Sequence, residues 1–182
     1  MCAAPPLRGV PWSPTDPGDG GDHADAGGAG PGDGRKNEGG VVAIVAIADV
    51  AAYVKPNSPM DREARKRGNS TYFPDRVVPM LPERISNDLC SLVEGEDRAC
   101  FAVRMVFDRN GNKRSHEFIR GLMKSAASLS YKQVQQAIDG TPDDAAGPLL
   151  DPVLKPLWAA YKVITQARDA RGPLDLDLPE YK

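Results

Sequence analysis

Four aspartates recur at intervals of three in a stretch otherwise built from glycine, proline and small residues: Asp16, Asp19, Asp22 and Asp25. Carboxylates gathered on one short loop can hold a hard, oxygen-preferring dication, and the cation's charge offsets theirs. The spacing lacks the alternation of an EF-hand loop, so calcium binding of that type is excluded. The same residues equally describe a solvated loop, since Asp and Gly are what turns select. Downstream the sign of the charge reverses. Between Lys55 and Arg76 six basic residues stand against Asp61, Glu63 and Asp75, although the whole chain carries a net charge of −2. An acidic loop followed by a basic stretch suits a metal-and-phosphate site, and it equally suits ordinary surface variation. Bulk charge alone gives no sign of a nucleic-acid binder.

The remaining candidates for chemistry are weaker. His23 and His116 have no partners in the sequence that would make them catalytic, and both read as surface residues. Cys2, Cys90 and Cys100 have no metal-ligand spacing and leave an odd thiol for pairing, which favours a reducing compartment. Cys90 and Cys100 are expected to be buried thiols. The N-terminus lacks a secretory pattern, and the longest apolar run, Val41 to Ala48, is far too short for a membrane span. The expectation is a cytoplasmic protein with no membrane partner.

The elements that must position these residues begin late. Of the 18 glycines in the chain, 11 lie between Gly9 and Gly40, so residues 1–40 read as a flexible segment and order is expected from Val41. Val41 to Ala48 is short, apolar and β-branched, as in a strand buried on both faces. Ser58-Pro59-Met60-Asp61 has the cap serine, proline and acid of a helix start, and Gly68 ends that helix. Ala99–Phe107 and Arg114–Leu122 flank the turn Arg109-Asn110-Gly111-Asn112 and form a hairpin. Ser130 to Gln133 is a capping box, and its short helix stops at Gly140. Pro156 to Arg171 carries an apolar helical stripe at Leu157, Ala160, Tyr161 and Ile164, with Trp158 and Tyr161 expected in the core. Leu174, Leu176 and Leu178 begin a further strand. The fold class is α+β.

Three stretches carry a more specific message. They are Ala46-Ile47-Ala48-Asp49-Val50 with Tyr53-Val54, the long run Asn69-Ser70-Thr71-Tyr72-Phe73-Pro74-Asp75-Arg76-Val77-Val78-Pro79-Met80-Leu81-Pro82 continuing to Ser86-Asn87-Asp88-Leu89-Cys90-Ser91-Leu92, and Arg171-Gly172-Pro173-Leu174-Asp175-Leu176-Asp177-Leu178-Pro179-Glu180. The sequence resembles the catalytic (RNB) domain of the ribonuclease II/ribonuclease R family, bacterial ribonuclease R above all. The family's aspartate loop precedes the first of these strands. Asp16, Asp22 and Asp25 match three of its four acids, and Ala24 stands where the remaining one is expected. The family enters and leaves that loop through apolar strands, whereas this chain has prolines before it and Gly27-Gly28-Ala29-Gly30 after it, a poor strand by composition.

The resemblance implies an incomplete RNB-type catalytic domain with a mixed or antiparallel sheet and flanking helices. Residues 1–40 would hold the degenerate aspartate loop, and residues 41–182 the N-terminal portion of the domain, ending before the family's arginine-bearing segment. It implies Mg2+-dependent 3′→5′ exoribonuclease chemistry on a single-stranded RNA 3′ end, with Asp16, Asp22 and Asp25 as catalytic and metal-site acids. Tyr72 would stack on the terminal base, and Arg65, Lys66, Arg67 and Arg76 would contact phosphates. The alternatives are a non-catalytic RNA-binding remnant, or half of a split ribonuclease completed by a separately encoded second half. Asp49, ending a strand, reads either as a structural acceptor or as a site residue.

Overall fold

The run Val41–Ala48 becomes the inner strand β2, because its β-branched residues suit a pleated surface with neighbours on both edges. The computed structural model describes residues 25–32 and 37–174. Around β2 lie β1 (Asp25–Pro31), β5 (Asp97–Phe107) and β6 (Lys113–Lys124), forming one antiparallel sheet in the order β1-β2-β5-β6. Between β2 and β5 come α1 (Val50–Tyr53), α2 (Pro59–Arg67) and a two-residue ribbon, β3 (Thr71–Tyr72) with β4 (Val77–Val78). After β6 come α3 (Tyr131–Ile138) and α4 (Lys155–Asp169). No helix of the described residues is long and apolar enough to cross a membrane.

Local chemistry explains most of the boundaries. The Ser58 hydroxyl accepts the Asp61 N–H at 3.2 Å, Pro59 opens α2, and Gly68 closes it at φ +79. Ser130 and Gln133 form the reciprocal cap of α3. The β5–β6 hairpin turns on Asp108, whose carboxylate accepts the N–H groups of Asn110 and Asn112, both at 2.9 Å. Those bonds, led by the Asn112 N–H, hold the Asp108 carboxyl below its ordinary pKa. Gly111 follows at φ +77, and a Cβ there would lie 2.3 Å from the Val163 carbonyl oxygen of α4. Glycine is needed both for the turn and for the close approach of the helix.

The sheet has two unlike faces. On one, Val42, Ile44, Ala46 and Ala48 pack with Cys100, Ala102, Val106 and Met123 beneath Cys90 and Leu92, with Tyr53 and Ile85 completing the cover. On the other, α4 lays Ala160, Val163 and Ile164 against Val41, Ala43, Met105 and Phe107. A third cluster joins α3 to the segment before α4 through Leu129, Ala137, Ala146 and Leu154.

Several expectations need correction. Among the described residues regular structure is present from Asp25 rather than from Val41, and the glycine-rich stretch is strand β1, paired with β2 from Asp25↔Ile47 to Pro31↔Val41. A strand bonds through its backbone, and the neighbouring apolar strand supplies partners that glycine's poor propensity does not oppose. Leu157 Cδ1 of α4 lies 4.0 Å from where a Gly27 Cβ would stand, an ordinary contact distance. β2 is not buried on both faces throughout, because Val45 and Ile47 are exposed on the α4 side. Tyr161 is exposed and stacks on a half-buried Trp158 at 5.2 Å, so these rings lie outside the core; the buried residues of α4 are Ala160 and Ala167. Leu174 is exposed and outside any strand, while Leu176 and Leu178 lie outside the described residues. Cys90 and Cys100 are buried thiols, as expected.

Candidate functional site

The aspartate loop can be placed at one end only. Asp16, Asp22 and Ala24 lie outside the described residues, and Asp25 is the first residue of β1. Its cross-strand partner is Ile47, whose partner on β5 is Phe101, whose partner on β6 is Arg120. Asp25 therefore stands at the end of the sheet where β2 gives way to Asp49. Among the described residues no group of three or more His, Cys, Asp or Glu side chains is arranged to hold a metal ion.

Asp49 is a structural acceptor. It is buried, its N–H donates to the Ala99 carbonyl at 3.0 Å, and its carboxylate receives Arg120 on both oxygens, Nε at 3.1 Å and Nη2 at 3.2 Å. A bidentate guanidinium is the arrangement that makes a buried carboxylate tolerable. Arg120 also lies over the Phe101 ring, 6.0 Å from its centroid. No local spacing signals this pair, since 71 residues separate its members. Below it, burial and then the Asp49 charge push the Cys100 thiol up to about 11, partly offset by a backbone hydrogen bond involving Gly121. Cys90 is raised by the same two causes in the same order. Neither thiol has the character of a nucleophile.

The aromatic candidate is differently placed. Tyr72 sits on β3 opposite Val77 and is 71% exposed, so it is not core packing. Phe73 follows it at the turn, where its N–H donates to the Arg76 carbonyl at 2.8 Å and the Arg76 guanidinium lies 5.2 Å from its ring centroid. Ser70 Oγ accepts the Met80 N–H at 3.0 Å and ties the base of the ribbon together. The ribbon thus holds one tyrosine ring out in solvent on a braced support.

Arg65 and Arg67 of α2 are engaged with acids of their own helix. Arg65 pairs with Asp61 at 3.2 Å and Arg67 with Glu63 at 3.1 Å, while Arg67 Nη1 donates to the Pro79 carbonyl at 3.1 Å. Arg76 pairs with Asp75 at 3.1 Å, and Lys66 is exposed. Such surface pairs contribute at most about 1 kcal/mol, so an incoming phosphate can displace them. The structure brings Arg67 and the ribbon together through Pro79, at the base of the support for Tyr72. It shows no convergence of Arg65, Lys66 and Arg76 on a single point.

The comparisons with known proteins accord with this geometry. The RNB domain family model matches residues 7–182. This chain belongs to the RNB domain family. It is 43% identical over 150 residues to Ribonuclease R of Vibrio parahaemolyticus and 42% identical to that of Escherichia coli, in each case over 81% of this chain and 18% of the relative. Mycoplasma genitalium RNase R, solved in complex with ribose methylated single-stranded RNA, superposes with a TM-score of 0.86 at 31% identity, over 99% of this chain and 27% of that one. The RNB family member described here therefore spans about a fifth of the curated ribonucleases R it matches, and the resemblance read from its motifs holds.

Proposed function

We propose that this chain forms the part of a 3′→5′ exoribonuclease centre that carries the aspartate loop and receives the RNA 3′ end. In a completed centre it would take part in hydrolysing single-stranded RNA to nucleoside 5′-monophosphates. The reading is carried by one observation: the chain superposes almost throughout on a ribonuclease solved with single-stranded RNA, while presenting Tyr72 bare to solvent. A ring held out from a braced ribbon can stack on any base, which suits an enzyme that degrades without regard to sequence. Exchange of Asp61, Asp75 or Glu63 for phosphate at Arg65, Arg76 or Arg67 would draw the backbone across α2, with Lys66 adding charge.

Asp16, Asp22 and Asp25 offer oxygen donors only, a set that fits Mg2+ better than softer metals. Magnesium bound there would supply the charge that lowers the pKa of an attacking water and relieves the leaving 3′-oxygen. The chain's own acids would orient that water towards the terminal phosphodiester, and Tyr72 would hold the terminal nucleotide in line. Ala24 removes one donor, and this favours a second reading in which the isolated chain binds RNA without cleaving it. A separately encoded second half would be the partner that restores the centre. The odd cysteine count supports a reducing, cytoplasmic setting.

The test uses a 3′-labelled single-stranded RNA. The purified chain should release no mononucleotide in Mg2+, yet bind the RNA. Tyr72→Ala should weaken binding by about 1–3 kcal/mol, the range for loss of one stacked base, with the thermal melt unchanged. Binding indifferent to Tyr72 would remove the stacking role, and mononucleotide release by homogeneous protein would remove the non-catalytic reading.

A further inference from the structure

The α4 side of the sheet is only half covered. On this face Val45, Ile47, Phe101, Phe118 and Leu122 of β2, β5 and β6 are exposed around Arg120, with Ile47 46% and Phe118 61% exposed. Monomers rarely leave so many large apolar side chains of one sheet face open to water, and such clusters mark interfaces. We infer that this half of the sheet is a protein interface, covered by the portion of the ribonuclease R architecture that has no counterpart in this chain. The inference rests on the proposed function above, in which the centre is completed by further protein.

Two observations select protein as the occupant. The curated relatives are long enough to supply it, since this chain corresponds to 18% of each. The surface itself also resembles a domain interior more than a nucleic-acid platform. It is largely aliphatic, Phe101 and Phe118 lie parallel and offset against each other at 5.7 Å and 1°, and Arg120 is neutralised by Asp49. Base-stacking sheets need rings turned outward and uncompensated cations. The patch also includes the strand row that begins with Asp25, so the protein covering it would close over the end of the sheet where β1 begins.

The test grafts this chain into Escherichia coli Ribonuclease R in place of the matching segment and compares the graft with the free chain. Carbene labelling should modify Ile47 and Phe118 in the free chain and spare them in the graft. Ile47→Glu with Phe118→Glu should leave the free chain's melting temperature unchanged and abolish soluble graft, because a charge buried without a partner is not tolerated. Equal labelling in both proteins overturns the inference. So does protection of the free chain that disappears on dilution, which assigns the patch to a second copy, or protection that requires RNA. Should the unsubstituted graft be insoluble, the chain is mixed with the relative lacking that segment; no complex, or one indifferent to the double substitution, is equally fatal. Mononucleotide release by the graft reports on the proposed function separately, since a protected but silent graft would sink that reading and leave the interface standing.

Discussion

The two faces of the sheet are made from the same strands, yet only one is finished. Cys90, Leu92, Ile85 and Tyr53 close over Ala46, Cys100, Ala102 and Met123, and no large hydrophobic of the strands on that face is exposed. Across the sheet, α4 packs on Val41 and Ala43 and leaves Val45 and Ile47 exposed. The finished side therefore supplies the stability of the isolated chain, and the open side is spare surface. Identical backbone hydrogen bonding serves both, so burial rather than the ladder separates them.

The comparison breaks first if Leu92 proves dispensable. Leu92→Ala on the closed face should cost about 2–5 kcal/mol in urea unfolding, the range for emptying a well-packed leucine site. A loss below that range would mean that the closed face is not where stability resides. Gly111→Ala should come next, at about 1–3 kcal/mol for overpacking against the Val163 carbonyl on top of an unfavourable φ. It asks whether the sealed part of the α4 side depends on the helix sitting down on the hairpin turn.

The buried thiols sharpen the same contrast through pH. Cys100 is raised from 9.0 to about 11, so the folded protein holds a proton that the unfolded chain releases. Its contribution to stability is complete below pH 9 and disappears as pH rises towards 11. The thermal melt should fall across that window, and Cys100→Ala should flatten the fall. Neither Cys90 nor Cys100 should react with a maleimide at pH 7 until the chain unfolds. The smallest effect belongs to the open face, where Phe118→Ser should shift stability by no more than about 0.5 kcal/mol, as for ordinary surface changes.

Much of this was legible in the residues. Ser58 and Gly68 bound α2, Ser130 with Gln133 opens α3, and Asn110-Gly111 makes the hairpin turn, each by a local rule that needs no tertiary partner. What escaped was whatever depends on a neighbour. β1 carries three glycines and a proline, and it is a strand because β2 lies beside it. Val45 and Ile47 belong to an apolar run whose composition cannot tell a covered face from one awaiting cover. Tyr72 and Tyr161 are both aromatic and both exposed, but only the first could be anticipated as a contact residue, through the motif around it. The Asp49–Arg120 pair joins two strand ends distant in the chain, and no spacing rule reaches that far. Of the candidate acids, Asp25 alone falls within the described residues.

β1 has a consequence for how a carboxylate is addressed. Side chains ordinarily lock two strands into one alignment, and a slip by a single position turns every residue over. β1 has almost none to offer. Its alignment is held instead at its far end, where the Gly32 N–H donates to the Gly40 carbonyl at 2.8 Å and Asn37 Nδ2 donates to the Phe107 carbonyl at 2.9 Å. The strand behaves as a plain ruler clamped at one tip, with Asp25 the last mark on the other. Where that mark falls is decided seven residues away, at a clamp containing no acid, so substitutions at Asn37 or Gly40 would misplace the aspartate while leaving it chemically intact.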